Sequence, residues 1–172
     1  MKNTTIALIA LLSAVTLIHA DPAPFGMQIG KATAADVKAK YSIKEAGVNK
    51  YSKGAMYELD PSELSLEGLH SATIVFGSDG KLQAVLSTLS KDKFDYLFGT
   101  LKKKYKLVNS SIPFVGDKYV KFIDGNTEIT LNAPHMSFEM DMNYVDKNLM
   151  KKFKQQTANE QQQKKNKEAS QL

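Results

Sequence analysis

Two histidines in the body of the chain, His70 and His135, are the side chains best suited to acid–base or metal chemistry near neutral pH. Each follows a predicted loop and has no chemical partner beside it in the sequence. There is no Gly-x-Ser-x-Gly elbow, phosphate loop or dinucleotide fingerprint. The sequence therefore assigns no catalytic residue and predicts that the chain is not an enzyme. A hydrolase site would require folding to place a histidine beside a serine or a carboxylate.

A group of methionines is compatible with a copper carrier, because thioether sulfurs bind Cu(I). His135 stands next to Met136, and Met140 follows on the same predicted face. The run from His135 to Val145 alternates, however, as a strand with one buried face does. The apolar positions are Met136, Phe138, Met140, Met142 and Tyr144. We therefore predict core packing, no metal site and no cofactor, with copper at His135, Met136 and Met140 as the alternative.

Three residues at related positions of two strands are candidates for recognition: Tyr57, Lys118 and Tyr119. Tyrosine is enriched at protein interfaces, so an uncovered sheet face carrying these side chains would form a binding surface. The alternative is that both tyrosines pack beneath helices.

The first 20 residues have the order of a secretory signal peptide. A lysine near the start precedes an apolar run from Ile6 to Ile18, and cleavage is expected after Ala20. The run is too short to span a bilayer comfortably, although an uncleaved anchor is the alternative. No second long apolar run and no lipid-accepting cysteine follow. We expect a soluble periplasmic or secreted protein without an integral membrane span.

The composition of the chain argues against several classes of protein. The chain has no cysteine, which rules out a disulfide scaffold and thiol chemistry. Its basic residues are all lysines, which argues against nucleic-acid recognition because bidentate contacts favour arginine. Residues 147–172 hold seven lysines and two glutamates, so the excess positive charge lies in the tail. This tail is a candidate contact for anionic surfaces, with a solvated frayed end as the alternative.

Two helices and two hairpins are the clearest local patterns. A capping box at Thr33 and Asp36 predicts a short helix to Tyr41, and the apolar spacing after Ser90 predicts a second helix to about Tyr105. Asp-Gly turns predict hairpins joining Ser71–Phe76 to Leu82–Leu89, and Lys118–Ile123 to Glu128–Asn132. Residues 42–54 are predicted to form a loop, Ala55–Leu59 a weak strand, and Lys106–Ile112 a short strand.

The two halves resemble each other. In both, a helix ends in a lysine-rich turn before tyrosine, and Gly-x-x-Tyr then opens a strand, at Gly54 and at Gly116. We predict an α+β domain over residues 21–153, built from two repeats of a helix and an antiparallel meander. The repeats cover about 29–89 and 90–145, the helices lie on one face of the sheet, and a C-terminal helix starts at 146. The polar Lys/Gln-rich tail, 154–172, is predicted to be disordered.

The stretch from Gly30 to Val37 is similar to the Gly-x-[Ser/Thr]-x-x-x-Val entry to the first helix of certain small periplasmic modules. With the order of elements, it resembles the beta-lactamase-inhibitor-protein family and the BamE-type outer-membrane assembly lipoproteins. The chain lacks the lipid-bearing cysteine of the BamE-type lipoproteins and the disulfides of the inhibitor family.

The preferred interpretation is an exported binding module that engages another exported protein as an inhibitor, immunity or assembly factor. A small-ligand or copper-binding protein and a hydrolase are the alternatives.

Overall fold

The computed structural model describes residues 21–171, so the predicted signal peptide lies outside the described residues. Eight antiparallel strands form one open sheet in the order β1-β2-β3-β4-β8-β7-β6-β5. The strands are β1 Ile43–Val48, β2 Lys53–Leu59, β3 Leu69–Gly77, β4 Leu82–Ser90, β5 Lys106–Ser111, β6 Lys118–Asp124, β7 Thr127–Ala133 and β8 Glu139–Asp146. The helices are α1 Ala34–Lys38, α2 Phe94–Lys104 and α3 Lys147–Ala169. The predicted α+β class is confirmed.

Each of the first two helices precedes four strands. In the first set, β1 lies within residues 42–54, which were predicted to form a loop. Its alternation is obscured because it lies at the sheet edge, where only Ile43 and Ala46 are partly buried. The two sets of four strands meet where β4 pairs with β8.

The helix α1 begins as its capping box predicts. The Thr33 hydroxyl accepts a hydrogen bond from the Asp36 amide, and the Asp36 carboxylate accepts one from the Thr33 amide at 2.8 Å. The Thr33 hydroxyl also donates to the Asp36 carboxylate at 2.7 Å, and this bond, together with the one from the Thr33 amide, lowers the pKa of Asp36. The helix is shorter than predicted and ends at Lys38, before Tyr41.

One face of the sheet holds the main core. Val37 of α1 and Phe94, Leu97 and Leu101 of α2 pack there with buried strand residues such as Phe122. Ser90 precedes α2 as predicted, but its side chain does not cap the helix, because a 3-10 turn at Lys91–Lys93 intervenes.

The strand β8 begins four residues later than predicted. Met140, Met142 and Tyr144 are buried in the core as expected. Met136 and Phe138, predicted to be buried with them, are almost fully exposed, and this prediction was wrong. Pro134 has no amide to donate and a turn brings the Ser137 amide back to the Pro134 carbonyl, so the sheet pairing starts only at Glu139.

The opposite face of the sheet is covered only in part, by the first turns of α3. Leu149 packs there with Val75, Ala84 and Val145. Asp146 caps this helix by accepting from the amides of Asn148 and Leu149. Residues 154–169, predicted to be a disordered tail, continue the helix, and residues 161–171 are exposed to solvent. Within residues 21–171, no helix has the length and apolar character that crossing a membrane requires.

Candidate functional site

Two loops lie side by side at one end of the sheet. Residues 112–117 join β5 to β6, and residues 134–138 join β7 to β8. Each contains a proline that cannot donate to a strand ladder, Pro113 in the first and Pro134 in the second. The Asp117 carboxylate accepts a hydrogen bond from the His135 amide at 2.7 Å, which ties the two loops together.

These loops hold their large apolar side chains in solvent. We call this set the apolar rim: Ile112 (42% exposed), Phe114 (103%), Val115 (66%), Met136 (92%) and Phe138 (95%). Such a cluster on tied loops differs from apolar residues scattered singly over a surface, and clusters of this kind mark interaction sites. Burying one such side chain against a partner would contribute roughly 1.5–3 kcal/mol.

Lys91, which directly follows β4, anchors the second loop, residues 134–138. Its ammonium group donates to the carbonyls of Pro134 and His135, and its amide donates to the Phe138 carbonyl at 2.8 Å. Ser137 adds a bond by accepting from the Glu139 amide at 2.9 Å. These bonds hold the loop in place without any contribution from the side chains of Met136 and Phe138. A partner would meet a surface that needs little ordering on binding.

A polar relay adjoins the rim where Phe138 leads into β8. The His70 ring bonds to Glu139 through Nδ1 at 2.8 Å and to Ser90 through Nε2 at 2.9 Å. Ser90 and Glu139 are directly paired across β4 and β8. A bulge in β3 between Leu69 and Ser71 presents His70 to both. Folding therefore gives His70 the serine and carboxylate partners that the sequence could not supply.

The relay has the order of a serine–histidine–carboxylate triad. With the proton on Nδ1, the ring donates to Glu139 and accepts from the Ser90 hydroxyl, which would make that hydroxyl more nucleophilic. Two features weigh against catalysis. The side chains of His70 and Glu139 are 44% and 55% exposed, so water screens them. The amides of Ser90 and Lys91 donate to the carbonyls of Gly68 and Phe138, so neither is free to stabilise an oxyanion.

Two ion pairs flank this end of the sheet. Lys93 contacts Glu67 at 2.8 Å, which lowers the pKa of Glu67 through a hydrogen bond to the ammonium group and raises the pKa of Lys93. Lys118 lies 4.9 Å from the Phe94 ring and 3.7 Å from Asp95. The surroundings of the rim thus carry both signs of charge, and the rim itself carries none.

The three residues predicted for recognition are not brought together. Tyr57 packs edge-on against Phe76 at 5.9 Å on the helix-covered face. Lys118 and Tyr119 open β6 directly after the first rim loop, five strands from β2 in the sheet order. Val120 is buried in the main core, and successive side chains of a strand point to opposite faces of the sheet. Tyr119 therefore lies on the face away from the main core, beside the rim. Tyr57 therefore follows the alternative of packing beneath a helix, and Tyr119 does not.

The alternative copper set is also separated. Met136 is exposed on a loop, Met140 is buried in the core, and His135 is bound through its amide. Among residues 21–171, no group of three or more His, Cys, Asp or Glu side chains is arranged to hold a metal ion.

Sequence reasoning missed the rim. Phe114 and Val115 stand between Pro113 and Gly116, and Gly116 adopts a left-handed φ of 126°. Apolar residues enclosed by a proline and a glycine between two strands are the signal that could have identified the first loop.

Similarity to other proteins assigns no role to this surface. No family model, curated protein or solved structure matches the chain. Its function is therefore inferred from the exposure, anchoring and chemistry of the residues themselves.

Proposed function

We propose that this chain is an exported module that binds another exported protein through the apolar rim. The single observation that carries the proposal is the exposure of five large apolar side chains on two loops tied by Asp117 and His135. Phenylalanine and methionine are enriched in protein interfaces, and the surrounding lysines and acidic residues supply a polar margin. Inhibition, immunity or assembly would all use such a surface without chemistry of its own.

The proposal includes export and an internal duplication. The signal-peptide pattern of residues 1–20 supports export to the periplasm or the medium. A helix followed by four antiparallel strands occurs twice, and the two sets join through β4 and β8, which supports the duplication. The basic tail beyond residue 153 is a second, weaker contact, toward anionic surfaces.

Affinity capture from the exported fraction of the source cells tests the proposal. The purified protein should retain a partner in a saturable 1:1 complex that survives 0.5 M salt, because apolar burial rather than surface charge would hold it. The variant Val48→Ser is the control, since Val48 is 69% exposed at the opposite end of the sheet. A protein that retains no partner but turns over a substrate would end the proposal.

The relay of Ser90, His70 and Glu139 supports one second candidate, a hydrolase of small esters. The Ser90 oxygen would attack the ester carbonyl while its proton passes to His70. The alcohol would leave with that proton, and water would release the acid from the serine.

This candidate predicts turnover of p-nitrophenyl acetate that Ser90→Ala and His70→Ala each lower at least about 100-fold. The matched control is Ser110→Ala, because Ser110 is exposed on β5, outside the relay. Equal rates for the wild type and Ser90→Ala would remove the hydrolase from consideration and leave the relay as a link between β3, β4 and β8.

A further inference from the structure

A groove separates α3 from the sheet face that α1 and α2 leave uncovered. Its volume is about 250 Å³, and one side is open to solvent. Its floor is formed by Val75, Leu86 and Val145 on three adjacent strands, and its wall by Leu149, Met150 and Phe153 of α3.

The groove exists because the apolar stripe of α3 stops early. Phe153 meets the Tyr51 ring edge-on at 5.0 Å, and further along the helix Glu160 pairs with Lys50 at 3.3 Å. The helix therefore covers Val145 but leaves Leu86 of the central strand β4 37% exposed.

The groove is lined by neutral polar side chains, of which Asn49 is already bonded to the amides of Tyr51 and Ser52. Asn143 pairs in register with both Leu86 and Thr130 across the neighbouring strands. The side chains of Asn143 and Thr130, both lining the groove, make no hydrogen bond to any other described residue between 21 and 171. An amide and a hydroxyl beside an exposed leucine can donate to and accept from the head group of a ligand whose body lies on the apolar floor.

The lining of the groove favours a neutral ligand over an ionic one. No Asp, Glu, Lys or His lines the groove. On the same sheet face, Lys121 and Glu128 neutralise each other at 2.7 Å. A carboxylate or ammonium group entering the groove would lose water without gaining an opposite charge, which is strongly unfavourable.

We propose that this groove binds a small neutral amphiphile, with its polar head at Asn143 and Thr130 and its apolar body on Leu86 and Val145. A volume of about 250 Å³ lies at the small end of ligand sites, so the ligand should be small. A medium-chain alcohol has this size and chemistry. The site is separate from the apolar rim and does not depend on the protein-binding proposal.

Titration of the purified protein with 1-octanol, followed by calorimetry and by methyl chemical shifts, tests the proposal. We expect one saturable site that binds 1-octanol at least tenfold more tightly than octanoate or octylammonium. Leu86→Phe should fill the groove and weaken 1-octanol binding at least tenfold. Thr130→Val removes only the hydroxyl at nearly constant shape, so it tests the head-group contact even if the larger residue at 86 disturbs folding.

The matched control is Val48→Phe, which adds the same ring outside the groove and should leave binding unchanged. Three results would overturn the proposal: no saturable binding of 1-octanol, equal binding of octanoate, or undiminished binding in both Leu86→Phe and Thr130→Val. Because none of these variants touches the rim, capture of a protein partner should be the same in all of them.

Discussion

Replacing Phe114 and Phe138 together by serine is expected to weaken binding of the captured partner by at least about 100-fold. Both rings are fully exposed in the free protein, so their removal takes nothing from the core. An apolar anchor at the centre of an interface typically contributes about 2 kcal/mol or more, and two anchors together exceed the 2.7 kcal/mol that corresponds to 100-fold.

Surface plasmon resonance with immobilised partner measures this loss directly, and most of it should appear as faster dissociation. Urea unfolding of the same variant should match the wild type within about 0.5 kcal/mol, because the substituted positions are on the surface. Val48→Ser provides the matched control, since it makes a similar change at the far end of the sheet. Unchanged affinity in the double variant would place the interface elsewhere.

Substituting Gly54 by alanine is expected to destabilise the fold by about 3 kcal/mol. A Cβ at this position would lie 2.2 Å from the Phe76 carbonyl oxygen and 2.4 Å from the Gly77 carbonyl oxygen. Both atoms are backbone of β3 at the irregular pairing with β2, so the new methyl group can fit only if the strands separate. Overpacking of this kind commonly costs 1–3 kcal/mol, and a rigid backbone neighbour puts the cost at the upper end.

The matched control for Gly54→Ala is Gly99→Ala. Gly99 lies on the exposed side of α2, and a Cβ there would meet nothing within 4 Å. Alanine in a helix interior should stabilise the protein by about 0.5–1 kcal/mol over glycine. Urea midpoints should therefore move in opposite directions for the two variants. Equal midpoints for Gly54→Ala and the wild type would show that β2 does not approach β3 as described.

The fold class and both Asp-Gly hairpins could be predicted because their signals are local. The alternation from His135 to Val145 was equally clear, but the predicted strand began four residues too early. The pattern cannot show that sheet pairing begins only at Glu139. The strand β1 gave no clear alternation because Lys44, Glu45 and Gly47 are exposed at an edge. Local patterns thus predict buried elements better than edges and strand ends.

The relay illustrates what sequence cannot supply. His70, Ser90 and Glu139 come from three strands, and their meeting depends on one register and on one bulge after Leu69. The two loops of the apolar rim are likewise joined across the fold, by the bond between Asp117 and His135. Tyr57 stands at a repeat-related position, but it is partly buried because it lies on the face of the sheet that holds the main core. Sites assembled across strands follow from register, which a single sequence does not display.

The most direct measurement of the central claim is site-specific photocrosslinking in the source cells. A benzoylphenylalanine placed at position 138 keeps the aromatic character of the rim and should crosslink to the partner that affinity capture retains. The same probe at position 48, exposed at the other end of the sheet, should give no crosslink to that protein. A partner that crosslinks from position 48 and not from 138 would contradict the account.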